Sequence, residues 1–195
     1  MPRSRDKIKL ELKESDIPFY DPYLIVKKRR GEWQKEYNQM TIRRANENDI
    51  PRLLELLEQV LQIHADIRPD IFIPGTTKYT NEELTQMIKD DTKPIYVAAD
   101  ENDNCLGYAF CQLLEQPFSN NMVPFTSLFI DDLCVDASTR GQHIGEKLFV
   151  HVKEEAKRLG CYEVTLNVWA GNTSAEKFYE KMGLKTKEQQ MEYIL

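Results

Sequence analysis

The stretch Leu128-Phe-Ile-Asp-Asp-Leu-Cys-Val-Asp-Ala-Ser-Thr-Arg140-Gly-Gln-His-Ile-Gly145-Glu-Lys-Leu-Phe149 decides the fold of this chain. Residues 128–135 are apolar at both alternating positions apart from Asp131 and Asp132, the pattern of a strand covered on both faces. A short polar turn follows, Asp136 to Arg140. Ile144, Leu148, Phe149, Val152, Ala156 and Leu159 then recur at helical spacing, and Gly160 stands where a helix C-cap glycine belongs. The unit is a buried strand, a turn and a helix of about four to five turns at 3.6 residues per turn.

The turn carries the chemistry. The first N–H groups of a helix lack internal partners, and the helix dipole there favours anions. Gly141 and Gly145 remove side chains where a ligand would pass close to the backbone, and Arg140 adds a permanent cation with forked donors suited to phosphate. Together they suit a pyrophosphate. Taken alone, a strand-to-helix junction that uses glycine only for tightness explains the turn equally well, because a lone glycine-rich turn is a weak motif.

Arg140-Gly141-Gln142-His143-Ile144-Gly145 resembles the acetyl-CoA-binding signature of the GNAT acyltransferases, Gln/Arg-x-x-Gly-x-Gly/Ala, with His143 where the signature has its middle glycine. A second block, Asn172-Thr-Ser-Ala175-Glu-Lys-Phe178-Tyr179-Glu180-Lys181-Met-Gly183-Leu184, is similar to the family's Asn-x-x-Ala-x-x-Phe-Tyr-Glu-Lys-x-Gly-Phe. The blocks keep the family's order and spacing, and the resemblance covers residues 40–195. It implies acetyl-CoA as cosubstrate, with no metal. It also implies a cofactor site made of Leu133, Cys134, Val135, Arg140, Gly141, Gln142, His143, Ile144, Gly145, Asn172 and Tyr179.

The 195 residues suffice for one domain with a substantial core. A content of 41% hydrophobic and 30% charged residues is ordinary for a globular protein. Cys105, Cys111, Cys134 and Cys161 form no CxxC pair and no metal spacing, so buried free thiols in a reducing compartment are expected. No apolar run approaches the length of a membrane span, and the charged first residues precede no signal-peptide core. A cytoplasmic monomer or homodimer follows as the expectation. Residues 1–39 carry a net charge of +3 against −9 over the rest, giving −6 in all. An acidic body repels nucleic acid and attracts cations, so neither nucleic acid nor membrane is expected as a partner.

Residues 1–39 carry none of the family's motifs, and their Lys27-Lys28-Arg29-Arg30 run reads as a solvated arm. They are expected to be a flexible extension or a mis-assigned start, with Met40 as the functional one. From Met40 the pattern is a strand, then a helix with Ile50, Leu53, Leu54, Leu57, Val60, Leu61 and His64 on one face. Pro51 sits in its first turn, and Asn48 and Asp49 offer caps. A loop spans Ile67 to Tyr79, and Thr80…Glu83 is a capping box opening a short helix. Ile95–Asp100 and Cys105–Leu114 read as strands about a turn, and residues 115–124 as a polar connection. After the central unit come a strand over Glu163–Ala170, a helix capped by Asn172 or Thr173 and ended by Gly183, and a final strand over Lys185–Leu195. The expected fold is therefore α/β (α+β), a mixed and mostly antiparallel sheet with helices on both faces. The GNAT resemblance adds that the parallel strands 128–135 and 163–170 splay apart to admit pantetheine.

Acyl transfer to an amine needs a neutral amine, a donor for the oxyanion and a proton for the departing thiolate. On the last helix, Ala175, Phe178 and Met182 form the core stripe. Tyr179 is turned about 100° from Phe178 and can face the cleft, or else sit as an amphipathic ring at the core edge. The resemblance implies that a tyrosine at this place is the general acid toward sulfur. Asp131 and Asp132 are the base candidates, sent by strand alternation to opposite faces. Ile130-Asp131-Asp132 resembles the Leu-Glu-Asp of polyamine-acetylating relatives, which favours Asp131, with a water relaying the proton. Asp132 is expected to be satisfied by backbone N–H groups. The oxyanion donor is expected near Cys134 or Val135 on an unpaired strand edge, and Cys134 as a structural thiol. Asn172 holds pantetheine, caps the helix, or does both. The acceptor, a small-molecule or peptide amine, is assigned to His64, Asp66, Arg68 and Tyr79, unless Asp66 and Arg68 simply pair on the surface. An N-acetyltransferase is the leading reading. A non-catalytic acyl-CoA sensor on the same fold is the alternative, and a dinucleotide oxidoreductase is set aside because no G-x-G-x-x-G follows a first strand.

Overall fold

The structure, a computed structural model, describes residues 40–116 and 119–195 in full and two earlier strands by their backbone. Those strands, β1 (Leu24–Arg29) and β2 (Glu32–Tyr37), form an antiparallel hairpin. The expectations for the rest of residues 1–39 lie outside the described residues.

Among the described residues, the main sheet has five strands in the order β3 (Thr41–Arg44), β4 (Ile95–Ala99), β5 (Cys105–Glu115), β6 (Thr126–Val135) and β7 (Glu163–Leu166). β6 and β7 are parallel and the other neighbours antiparallel, as crossover and hairpin connections require. Among the described residues, four α-helices cover the sheet: α1 (Ile50–Ile67), α2 (Asn81–Ile88), α3 (Ile144–Arg158) and α4 (Thr173–Lys181).

Period-two alternation divides the core. On β4, Ile95 and Val97 join Leu53, Leu56, Leu57 and Leu84 of α1 and α2, whereas Tyr96 and Ala98 join Ile144, Leu148, Phe149 and Val152 of α3. Leu56 is wholly buried although it lies off the expected face of α1, and Leu159 of the expected α3 stripe is exposed. Each fully buried leucine contributes about 1.5–3 kcal/mol relative to exposure.

Helix ends follow local chemistry. Thr80 Oγ1 accepts from the Glu83 N–H while Glu83 accepts from the Thr80 N–H, the expected capping box. Asn46, rather than Asn48 or Asp49, provides the side-chain cap ahead of α1, in a reciprocal pair with Asp49. Asn172 Oδ1 accepts from the Ala175 N–H and so caps α4. Gly160, at φ +73°, takes the left-handed conformation past the end of α3.

Three expectations are corrected. No strand forms over Lys185–Leu195; the segment is tied by side chains, Lys187 to Glu163 and Arg68 to Glu192. Met191, Tyr193, Ile194 and Leu195 stay exposed, so the segment buries no apolar face that would hold it as a strand. β7 ends at Leu166 instead of Ala170. Finally, alternation on β6 changes parity. Ile130 and Leu133 both pack toward α3 and Cys134 toward α1, because Asp131 is an extra residue between the pairs Ile130–Cys111 and Asp132–Phe110. This β-bulge removes the opposite-face placement expected for Asp131 and Asp132.

Candidate functional site

β6 and β7 are paired only as far as Ile130–Leu166, so β6 residues 131–135 continue without a partner strand on that edge. Backbone groups along such an edge are left for another partner. The gap opens at the bulge and runs to the turn before α3.

The turn is held from α1. Asp136 caps a single 3-10 turn, Ala137–Thr139, by accepting from the Ser138 N–H, and forms an ion pair with Arg52. Gln59 Oε1 accepts from the Ala137 N–H at 3.1 Å. Arg140, Gly141, Gln142 and His143 are exposed, with Arg140 Nε donating to the Val135 carbonyl at 3.4 Å. Gly141 has φ +81° and nothing within 4 Å of where a Cβ would be. His143, at φ 60°, precedes α3 and pairs with Glu146 at 3.1 Å, and Glu146 also takes Lys181 of α4. Ile144 is core. A Cβ on Gly145 would stand in ordinary van der Waals contact, 3.4 Å from the Phe178 ring and 3.5 Å from Val135, so a side chain longer than a methyl would press on α4 and β6. Exposed donors, a permanent cation, a left-handed glycine and the uncapped first turn of α3 fit a pyrophosphate, and the open edge fits an amide-bearing chain such as pantetheine.

At the other end, the bulge presents both carboxylates to the side of α1 and α2. Asp131 Oδ2 receives Lys78 Nζ at 2.7 Å and the Tyr79 hydroxyl at 3.1 Å. Tyr79 stacks on Phe110 at 5.7 Å, and burial raises its pKa. Asp132 is half-buried and accepts from the Tyr108 hydroxyl at 3.3 Å. Burial pushes its carboxyl up to about 6, against the pull of the Lys78 charge. Tyr179 is close enough to feel the Asp132 charge, its ring 5.0 Å from Phe178 and 6.3 Å from Phe149. It is half-buried in the α3 core, so the edge-of-core placement holds together with an approach to the gap. Burial, then the Asp132 charge, raises its phenol far above the ordinary value, and its hydroxyl has no hydrogen-bond partner among the described residues.

Leu133 and Val135 line the α3 side of the strand, and Cys134 is buried on the other, its Sγ 3.6 Å from the Leu56 carbonyl. Burial pushes the Cys134 thiol up to about 12, which leaves it protonated and inert. His64 stacks on Phe72 at 5.1 Å, and burial, then the Lys78 charge, lowers its pKa. Arg68 is taken by Asp70 and Glu192, and Asp66 accepts from Gln62, so the Asp66–Arg68 surface pair does not form. Of the four acceptor candidates, only Tyr79 touches a β6 carboxylate. Sequence reasoning missed Tyr108 and Lys78. Tyr108 could have been found from its place in an apolar strand, where a buried hydroxyl requires a partner.

The model of the acetyltransferase (GNAT) family matches residues 57–184. The chain belongs to the GNAT acetyltransferase family. It is accordingly an acyltransferase, of a family that uses acetyl-CoA. Glucosamine 6-phosphate N-acetyltransferase of Arabidopsis thaliana is 28% identical over 121 residues, 60% of this chain and 78% of that protein. Peptidyl-lysine N-acetyltransferase YjaB of Salmonella typhimurium is 31% identical over 105 residues, 53% of this chain and 59% of that protein. A mutant form of the BH1408 protein of Bacillus halodurans shares the fold with a TM-score of 0.76 and 27% identity, over 80% of this chain and 99% of that one. Among the described residues, no helix is long and apolar enough to cross a membrane.

Proposed function

We propose that this acyltransferase moves an acetyl group from acetyl-CoA directly to a primary amine of a small molecule or peptide. The observation that carries the reading is the bulge at Asp131. It sets two carboxylates at the mouth of the β6–β7 gap, with the Tyr179 phenol on the far side and the anion-suited turn at the other end. Residues 140–145 hold the pyrophosphate, the open edge 131–135 lies along pantetheine, and bound acetyl-CoA supplies the thioester.

Each group then has a task. Asp131 attracts the incoming ammonium. Asp132, with a pKa of about 6, is ionised at neutral pH and close enough to it to act as general base. A backbone N–H of the unpaired edge faces the developing oxyanion. Once the ammonium has lost a first proton to solvent, its lone pair forms the N–C bond as the C–S bond breaks, the nitrogen's second proton goes to Asp132, and Tyr179, which its raised pKa keeps protonated, gives its proton to the sulfur. The mechanism therefore places the proton on Asp132 and leaves Asp131 to orient the amine.

Support also comes from the relatives, whose names place acetylation on a sugar amine and on peptidyl-lysine. A panel of amino sugars, polyamines, amino acids and lysine peptides, read by thiol release from acetyl-CoA, tests the proposal. Acetyl-CoA binding with no thiol release for any amine would overturn it.

A further inference from the structure

An amine of the protein itself reaches the mouth of the β6–β7 gap. Lys78 comes from the α1–α2 connection and reaches Asp131 at 2.7 Å. Asp131 is the bulged residue at which the β6–β7 gap opens. The next residue pins the connection there, since the Tyr79 ring stacks on Phe110 of β5 and its hydroxyl donates to the same Asp131 oxygen. The Lys78 charge is felt by Asp132 of β6 and by His64 of α1. A primary amine is thus held by one of the two carboxylates that the reading above assigns to an acceptor, within reach of the other's charge.

We propose that Lys78 is a self-acetylation site, its ε-amine occupying the acceptor's place and taking an acetyl group from acetyl-CoA. The inference rests on the direct-transfer reading. The Nζ lone pair forms the new N–C bond and the thioester C–S bond breaks. The nitrogen's proton goes to Asp132, the sulfur takes one from Tyr179, and coenzyme A leaves. Asp131 keeps Lys78 mainly as the ammonium: burial lowers its pKa, but the bond and charge of Asp131 outweigh this and raise it overall. The reaction is therefore slow and occurs once per chain, and it removes the cation that competes with an acceptor for Asp131.

The experiment incubates the full chain with acetyl-CoA and no acceptor, followed by intact mass and peptide mapping. One acetyl group is expected on Lys78, with a rate constant unchanged on dilution. Lys78→Arg, which keeps a cation beside Asp131, gains none at this position. Asp132→Asn slows the modification at least about tenfold, as loss of a general base does. Modification spread at comparable rates over exposed lysines such as Lys153 and Lys157, or a rate unaffected by Asp132→Asn, would overturn the proposal. Thiol release with the amine panel separates the two readings. Turnover of an added amine while Lys78 stays unmodified sinks self-acetylation alone, whereas no turnover and no modification sinks both.

Discussion

The hydroxyl of Tyr108 lies 3.3 Å from Oδ2 of Asp132, so a fully buried tyrosine on β5 fixes a carboxylate on the bulged half of β6. That hydrogen bond and the Lys78 charge oppose the effect of burial without cancelling it, and Asp132 rises from 3.8 to about 6. A carboxyl with a raised pKa in the folded state holds its proton there between about pH 4 and 6. Stability therefore falls as pH rises through that window, and above it the ionised group costs at most about 3 kcal/mol at 1.36 kcal/mol per unit. Asp132→Asn should raise the unfolding free energy at pH 7 while lowering turnover by about 10²–10⁴-fold. Denaturant unfolding paired with thiol-release kinetics checks both; a variant that is less stable and fully active would remove Asp132 from the mechanism.

On the proposed mechanism the same carboxyl should set the acid limb of the pH profile. The base must be ionised, so kcat/KM should fall about tenfold per pH unit below about 6. The limb should be absent from the residual activity of Asp132→Asn. His64 is set apart by its place, stacked on Phe72 and bonded to neither β6 carboxylate. A limb that persists unchanged in the Asn variant assigns the titration elsewhere.

The strand–turn–helix unit was legible because its signals are local: apolar alternation through Leu128–Val135, helical recurrence from Ile144, and Gly160 at the cap. The capping box at Thr80 and the Asn172 cap were legible for the same reason. The bulge was not, since Asp131 is displaced by how β6 registers against Phe110 and Cys111 of β5, and pairing between distant segments leaves no local trace. Lys78 was missed because the α1–α2 connection reaches the site only after folding. The tail from Lys185 carried strand-like residues, but a strand also requires an apolar face to bury, and Met191, Tyr193, Ile194 and Leu195 stay exposed.

Gly141 offers the cleanest test of the anion site. Its φ of +81° makes any side chain cost about 1–2 kcal/mol, yet nothing stands within 4 Å of a Cβ there. Gly141→Asp should fold, with a slightly lower melting point, and lose acetyl-CoA affinity through like-charge repulsion. Gly145→Asp should lose affinity together with more stability, because its Cβ already fills the space to Phe178 and Val135 and the carboxyl beyond it would crowd them. Isothermal titration with acetyl-CoA on both variants, alongside thermal unfolding, separates charge at the ligand from crowding of α4. Unchanged affinity in a folded Gly141→Asp protein would remove the turn as the pyrophosphate site.

Tyr179 makes two contributions that one substitution separates. Its ring belongs to the core, edge-on to Phe178 at 5.0 Å and Phe149 at 6.3 Å. Its hydroxyl has no partner among the described residues and is kept protonated by burial and by the Asp132 charge. Tyr179→Phe keeps the ring contacts and removes only the proton, so melting behaviour and acetyl-CoA affinity should stay close to wild type. Turnover should fall about 10²–10⁴-fold if the phenol protonates the leaving sulfur. The loss should appear in kcat with little change in acceptor KM, since the group is used only as the C–S bond breaks. Tyr179→Ala should lose stability as well, by less than the about 3–5 kcal/mol of a fully buried aromatic because the ring is half-buried, which makes it the poorer probe of chemistry. Steady-state kinetics of Tyr179→Phe at saturating acetyl-CoA decide the matter: full activity would leave Tyr179 a packing residue and require another source for the proton.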